Sequence, residues 1–399
     1  MKIVRLVAAE PYRVFFPLAI LSAFIGVLLW PLFYGGVLEE YPLHSHTRLM
    51  VQGFVGACII GFLGTALPKM LSAPSLKVWQ ISALFFTFVG LLVAHGFMLT
   101  RIGDLLFITT FIMFVGFVLP RILVRKSTVA PPVVLAGLGL VCGIVGTALL
   151  LRQEAEFYAF AQRLLFQAFV MLPILGVGSF FFPMLMGAES KSYPTRKLWL
   201  RKAVVCLIFG VVLVYSYWLD SQAQGKWGQW LRLALCAYWF LCEVDILKPS
   251  KNPGLTPFAI KVGVLCILVG ISATAIFDHF RIALEHTIYL GGFSLITLIV
   301  ATRVIYGHSG QGDKFKSWGK ALSSCLVLIL LAMITRVLAD FFPDSRNSHL
   351  VYAAIYWLVV CVIWGCVVLP SVLRPAPRKV APPKPRVPNL LDINLRKPK

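Results

Sequence analysis

Charged residues are scarce in this sequence: they fill 13% of its 399 positions, and only 16 of them are Asp or Glu. A soluble chain of this length carries about a quarter charged residues and divides into two or three domains. With 59% hydrophobic residues and a mean hydropathy of +0.85, that class is excluded, and so is disorder over most of the chain. Recognisable cysteine spacing is also missing. The nine cysteines form no CxxC or CxxCH, so neither a disulfide framework nor covalent haem attachment has support. P-loop, GxGxxG, HExxH and Ser-His-Asp patterns are lacking too, which leaves hydrolysis and nucleotide chemistry without a carrier.

What the sequence has is long apolar runs. Punctuated by Pro, Gly and polar residues, they predict twelve membrane spans, near 14–34, 48–70, 78–98, 104–123, 130–151, 160–187, 200–220, 228–247, 258–278, 281–306, 318–342 and 347–373. The first run is too long for the apolar core of a secretory signal. The fold class expected is an all-α polytopic membrane protein of about twelve transmembrane helices over residues 1–373. Residues 374–399, rich in Pro and cations, are expected to form a disordered basic cytoplasmic tail.

The net charge of +21 does not point to nucleic acid. When the 37 Lys and Arg are sorted by the predicted topology, 28 fall on the side of the two termini and nine on the other. This asymmetry predicts both termini in the cytoplasm and a bacterial inner membrane location, with the lipid bilayer as the main partner.

The chain also echoes itself. Shifted by 115 residues, 47–73 aligns without a gap on 162–188, pairing Arg48 with Arg163, Gln52 with Gln167, Phe54 with Phe169, Gly61 with Gly176 and Pro68 with Pro183. A weaker third copy begins near His286. Three four-helix repeats are expected, with spans 2, 6 and 10 equivalent and parallel.

Histidine is the informative residue, because a neutral imidazole ligates iron, copper or zinc and because polar groups at membrane depth are costly unless used. Of seven histidines, His44, His46, His95, His279, His286 and His349 fall at the outer ends of spans, and only His308 falls at the inner side. His46 and His286 come out at similar depth. His44 and His46, two residues apart, point to nearly opposite sides of any helix and cannot serve one centre there. Cys58 is the one cysteine placed near enough to the HxH segment to be watched as a soft copper ligand; the others read as packing residues. Arg48, Arg163 and Arg303 either pair with a cofactor carboxylate or anion or bond backbone carbonyls, whereas Arg336 reads as structural. Glu243, Asp245, Asp278 and Glu285 cluster at span ends, not through the bilayer as a proton path requires.

Several stretches resemble the NnrS family of bacterial membrane proteins: PYRVFFPLAILSAFIGVLLW near the N-terminus, HSHTRLMVQGFVGACIIGFLGTALP, GVGSFFFPMLMG, and EHTIYLGGFSLITLIVATRVIYGHSG. The resemblance implies a haem- and copper-containing protein of the nitric oxide response and nitrosative-stress resistance, often beside denitrification. It assigns His44 and His46 to the family's HxH pair, His286 to its late histidine, Arg303 to its arginine and His308 to its Gly-His. Thr47, Lys69-Met70 and Gly310-Gln311 depart from the family pattern. Two other classes remain open on the residues alone: a transporter of a metal, haem or small anion, and a non-catalytic assembly partner for other membrane proteins.

Overall fold

The structure is a computed structural model and describes residues 2–374 other than 190, 194, 223 and 224. Among them no strand occurs. A short helix α1 (Lys2–Ala9) precedes α2 (Tyr12–Tyr34), α3 (Leu43–Met70), α4 (Val78–Gly96), α5 (Thr100–Leu123), α6 (Val133–Arg152), α7 (Ala155–Leu185) and α8 (Arg196–Ser221). There follow α9 (Gly225–Tyr238, continued by a π-helical turn over Trp239–Glu243), α10 (Leu255–Ile276), α11 (Asp278–His308), α12 (Lys320–Phe341) and α13 (Pro343–Ser371). The basic tail lies outside the described residues from 375 onward.

Eleven of these helices, α2 to α8 and α10 to α13, are long and apolar enough to cross a membrane. The predicted span 228–247 is α9, which falls short of that measure because Lys226, Arg232 and Glu243 dilute a segment of 14 residues plus a 5-residue turn. It still packs lengthwise between α8 and α10. At 1.5 Å per residue it reaches about 28 Å, close to the thickness of the hydrocarbon layer.

The packing follows one rule three times. The first helix of each four-helix unit packs on the second (α2 on α3, α6 on α7, α10 on α11), and the third packs on the fourth (α4 on α5, α8 on α9, α12 on α13). The fourth then packs on the first helix of the next unit (α5 on α6, α9 on α10), and α13 closes the ring on α2. The second helices are the innermost. Buried residues make up 78%, 89% and 61% of the apolar stretches of α3, α7 and α11, against 22% in α8 and in α12. Close approach within the first pairs depends on glycine. A Cβ at Gly26 would lie 2.9 Å from that of Leu49, one at Gly146 2.9 Å from that of Leu164, and one at Gly270 2.5 Å from Ile288.

The three inner helices share a second feature. Each becomes π-helical in its N-terminal half, over Leu49–Val55, Leu164–Ala168 and Thr287–Ser294. In each case the residue just before the π segment is basic: Arg48, Arg163 or His286. A π turn inserts one residue into the ladder and redirects the side chains around it, so its threefold recurrence at one depth marks the repeat as structural. These helices also begin earlier than the apolar runs predict, at Leu43, Ala155 and Asp278, so the basic residues lie within the helices, near their N-terminal ends.

Candidate metal centre at the outer rim

In units one and two the rim position is an arginine closed into an ion pair. Arg48 donates to Asp104 of α5 from Nε and Nη2 at 2.9–3.0 Å, and Gln52 donates to the same carboxylate at 2.7 Å. Asp104 can only accept, which fixes the Gln52 amide and turns its Oε1 to His95. His95 therefore donates from Nε2 at 2.7 Å. Its ring rests where a Cβ of residue 103 would be, so Gly103 is the space that admits it.

Unit two repeats this with more cations. Arg163, Arg232 and Arg281 all donate to Oδ2 of Asp220, at 2.8, 2.8 and 2.5 Å, and Gln229 donates to Oδ1 at 3.1 Å. Gln167, the counterpart of Gln52, accepts from Arg232 and donates to Glu285 at 3.0 Å. Arg281 and Glu285 belong to α11, five residues and one residue ahead of His286, so this network ties unit two to the N-terminal end of the second helix of unit three. The guanidinium of Arg232 also lies over the Tyr217 ring, 3.9 Å from its centroid.

Unit three breaks the pattern. Where the others have arginine it has His286, and the nearby cation Arg336 of α12 faces Asp340, which also accepts from Arg346 at 3.0 Å. His286 donates from Nδ1 to its own helix, at the Ile282 carbonyl 2.7 Å away. His46, on the first turns of α3, donates from Nδ1 to the Gly26 carbonyl at 2.9 Å. A carbonyl accepts only, so both imidazoles have Nε2 as the lone-pair nitrogen. Both rings are half-buried, and among the described residues neither Nε2 has a hydrogen-bond partner. His46 and Arg336 are close enough to His286 to act on it electrostatically. Around His46 stand aromatic rings: Trp30 lies edge-on at 5.6 Å, Tyr41 packs on Trp30 at 5.3 Å, and Tyr289 meets His286 at 5.8 Å.

The other predicted residues are elsewhere. His44 is exposed on the opposite side of the helical segment Leu43–Arg48, as the two-residue spacing requires. His308 sits at the inner end of α11, 22 positions from His286 and so about 33 Å away along the helix, which rules out a shared centre. It faces Glu10 at 3.3 Å, with Lys69 and Arg13 bound to the same carboxylate. Arg303 is on the same inner stretch, beside Gly307. Cys58, 12 residues beyond His46, is about 18 Å deeper and lines a mid-membrane cavity instead. Gln52, Asp104, Gln167 and Asp220 were not singled out in the sequence, although the first and third stand in the internal echo. The acids escaped because they lie outside it.

A family model described as NnrS protein matches residues 6–376. The chain belongs to the NnrS family. No individual curated protein matches it. In this NnrS-family chain, the match runs through all three four-helix units and includes both His46 and His286.

The donor set can now be weighed against a metal. Among the described residues no group of three or more His, Cys, Asp or Glu is assembled to hold an ion. A closed four-ligand structural zinc site is therefore not built here. Two imidazoles from separate helices, each with Nδ1–H held by a carbonyl and Nε2 free, fit a centre that needs few protein ligands: a haem iron, or a copper completed by small ligands.

Proposed function

We propose that this protein acts in the nitric oxide response, or in resistance to nitrosative stress, through a haem or copper centre held by His46 and His286 near the periplasmic face. One observation carries the reading: at the third of three equivalent rim positions the paired arginine is replaced by an imidazole, and that imidazole, within electrostatic reach of His46, keeps its Nε2 without a hydrogen-bond partner among the described residues. Family membership supports it. Bound there, a haem iron or copper would supply direct coordination of a small uncharged diatomic molecule.

The chain's own residues have definable roles in this proposal. The carbonyls of Gly26 and Ile282 fix the tautomers and orient the rings. Trp30 packs edge-on against the His46 ring and Tyr289 against the His286 ring. Arg336 supplies positive charge for a porphyrin carboxylate or an anionic ligand. Arg48 and Arg163, committed to Asp104 and Asp220, hold helices together at the rim. The excess of basic residues on the opposite side of the bundle supports a periplasmic rim and cytoplasmic termini in the bacterial inner membrane.

The test is an absorption spectrum with iron and copper analysis of purified protein. The expected result is a haem band or stoichiometric copper in the parent, lost in His46→Ala and in His286→Ala but kept in His44→Ala. A parent free of both metals after expression with haem and copper supplied, or a content indifferent to both substitutions, overturns the proposal.

A further inference from the structure

The three inner helices do not close on one another at mid-depth. Between them is a cavity with about 80 Å³ of free volume, and each unit contributes one wall. Unit one gives Cys58, Ile59 and Phe62 from α3, unit two gives Val170, Pro173 and Val177 from α7, and unit three gives Ile296, Val300 and Ala301 from α11. Phe16 of α2 completes the lining, which contains no charged side chain; Thr297 and the Cys58 thiol are its only polar groups.

We propose that this cavity is a docking site for one small, uncharged, apolar molecule of the size of a diatomic gas. Three properties select that class. The lining offers too few polar partners for an ordered water, which needs two to four, so the space is dry. Its volume is far below that of a drug-sized or porphyrin pocket, which is several hundred Å³. It is lined midway along three helices long and apolar enough to cross a membrane, an environment that apolar gases enter and ions do not. A gas held here would sit about 15 Å inward of His286, since Ile296 follows it by ten residues. Delivery to the rim centre from there rests on the function proposed above, but docking itself does not.

Xenon is the probe, because it reports apolar voids without any metal chemistry. In detergent-purified protein, 129Xe NMR titration should give a saturable shift, and xenon-pressurised crystals should place the atom among Ile59, Val177 and Val300. Filling the space with Ala301→Phe should abolish the saturable component while His46 and His286 keep any metal they bind. Should Ala301→Phe not fold, Val300→Phe serves the same purpose from the next position. No saturable xenon shift in the parent, a shift that survives a folded filling variant, or an acyl chain occupying the cavity overturns the proposal. None of these outcomes bears on the metal content read in the previous experiment, so the two proposals fail separately.

Discussion

The Nδ1–H of His46 ends on the carbonyl of Gly26, 2.9 Å away, across the contact between α2 and α3. The absence of a side chain at Gly26 makes that bond possible, because a Cβ there would stand 2.9 Å from the Cβ of Leu49. Gly26→Ala should therefore push α3 outward at a cost of about 1–3 kcal/mol, within what the bundle tolerates. It should also loosen the imidazole, lowering metal affinity roughly 10- to 100-fold, as loss of an orienting partner commonly does. Metal titration alongside a thermal melt checks both; an unchanged affinity in a folded Gly26→Ala protein would show that the carbonyl does not orient the ring.

Arg48 and Asp104 form the simplest of the rim pairs, with side chains 10% and 3% exposed. Removing the acid alone strands a guanidinium, so Asp104→Ala should lose roughly 3–5 kcal/mol in denaturant unfolding from mixed micelles. Replacing both, as Arg48→Met with Asp104→Leu, should recover most of the loss. Losses that simply add in the double variant would mean that the pair is not coupled.

Asp220 holds three arginines with no exposed side-chain surface of its own. Asp220→Asn keeps the shape and removes the charge, so it should destabilise more than Asp104→Asn measured in the same way, since three guanidinium groups lose their anion instead of one. Because Arg281 precedes His286 by five residues and Glu285 is its immediate neighbour, Asp220→Asn should also weaken metal binding, whereas Asp104→Asn should not. Equal losses in the two variants would count against the network as drawn.

At the inner end, Glu10 offers a prediction in pH. Burial alone would raise its carboxyl, but the Lys69 hydrogen bond, the His308 field and the Arg13 hydrogen bond together hold it below its ordinary 4.5. A carboxyl lowered in the folded state contributes stability that is fully present above 4.5 and fades as the pH falls through the lowered value. Unfolding measured from pH 7 downward should therefore show a loss of stability beginning below about pH 4.5, and Glu10→Gln should flatten that part of the curve while lowering stability at neutral pH. A Glu10→Gln profile parallel to that of the parent would remove Glu10 from the account.

Each part of the architecture was legible in the sequence to a different degree. Spans such as Tyr12–Tyr34 and Val133–Arg152 could be read because a helix crossing lipid must satisfy every backbone group internally and stay apolar for about 20 residues. The gap-free echo of 47–73 in 162–188 announced the repeat, since equivalent helices pack against equivalent neighbours. Gly225–Tyr238 was harder, as Arg232 serves the Asp220 network and with Lys226 dilutes the apolar signal.

Composition and spacing thus determined a helical membrane bundle and its repeat, the first because each span is a property of one helix and the second because equivalent segments carry the same pattern. Only the folded ring decided that Arg48 and Arg163 are used up by Asp104 and Asp220, that His308 and Arg303 are at the far end from His286, and that His46 and His286, from different units, come within electrostatic reach of each other. Those outcomes depend on which helices become neighbours when α13 closes on α2. That choice is set by glycine-sized gaps and buried charge pairs between segments distant in the chain, and no local pattern encodes it.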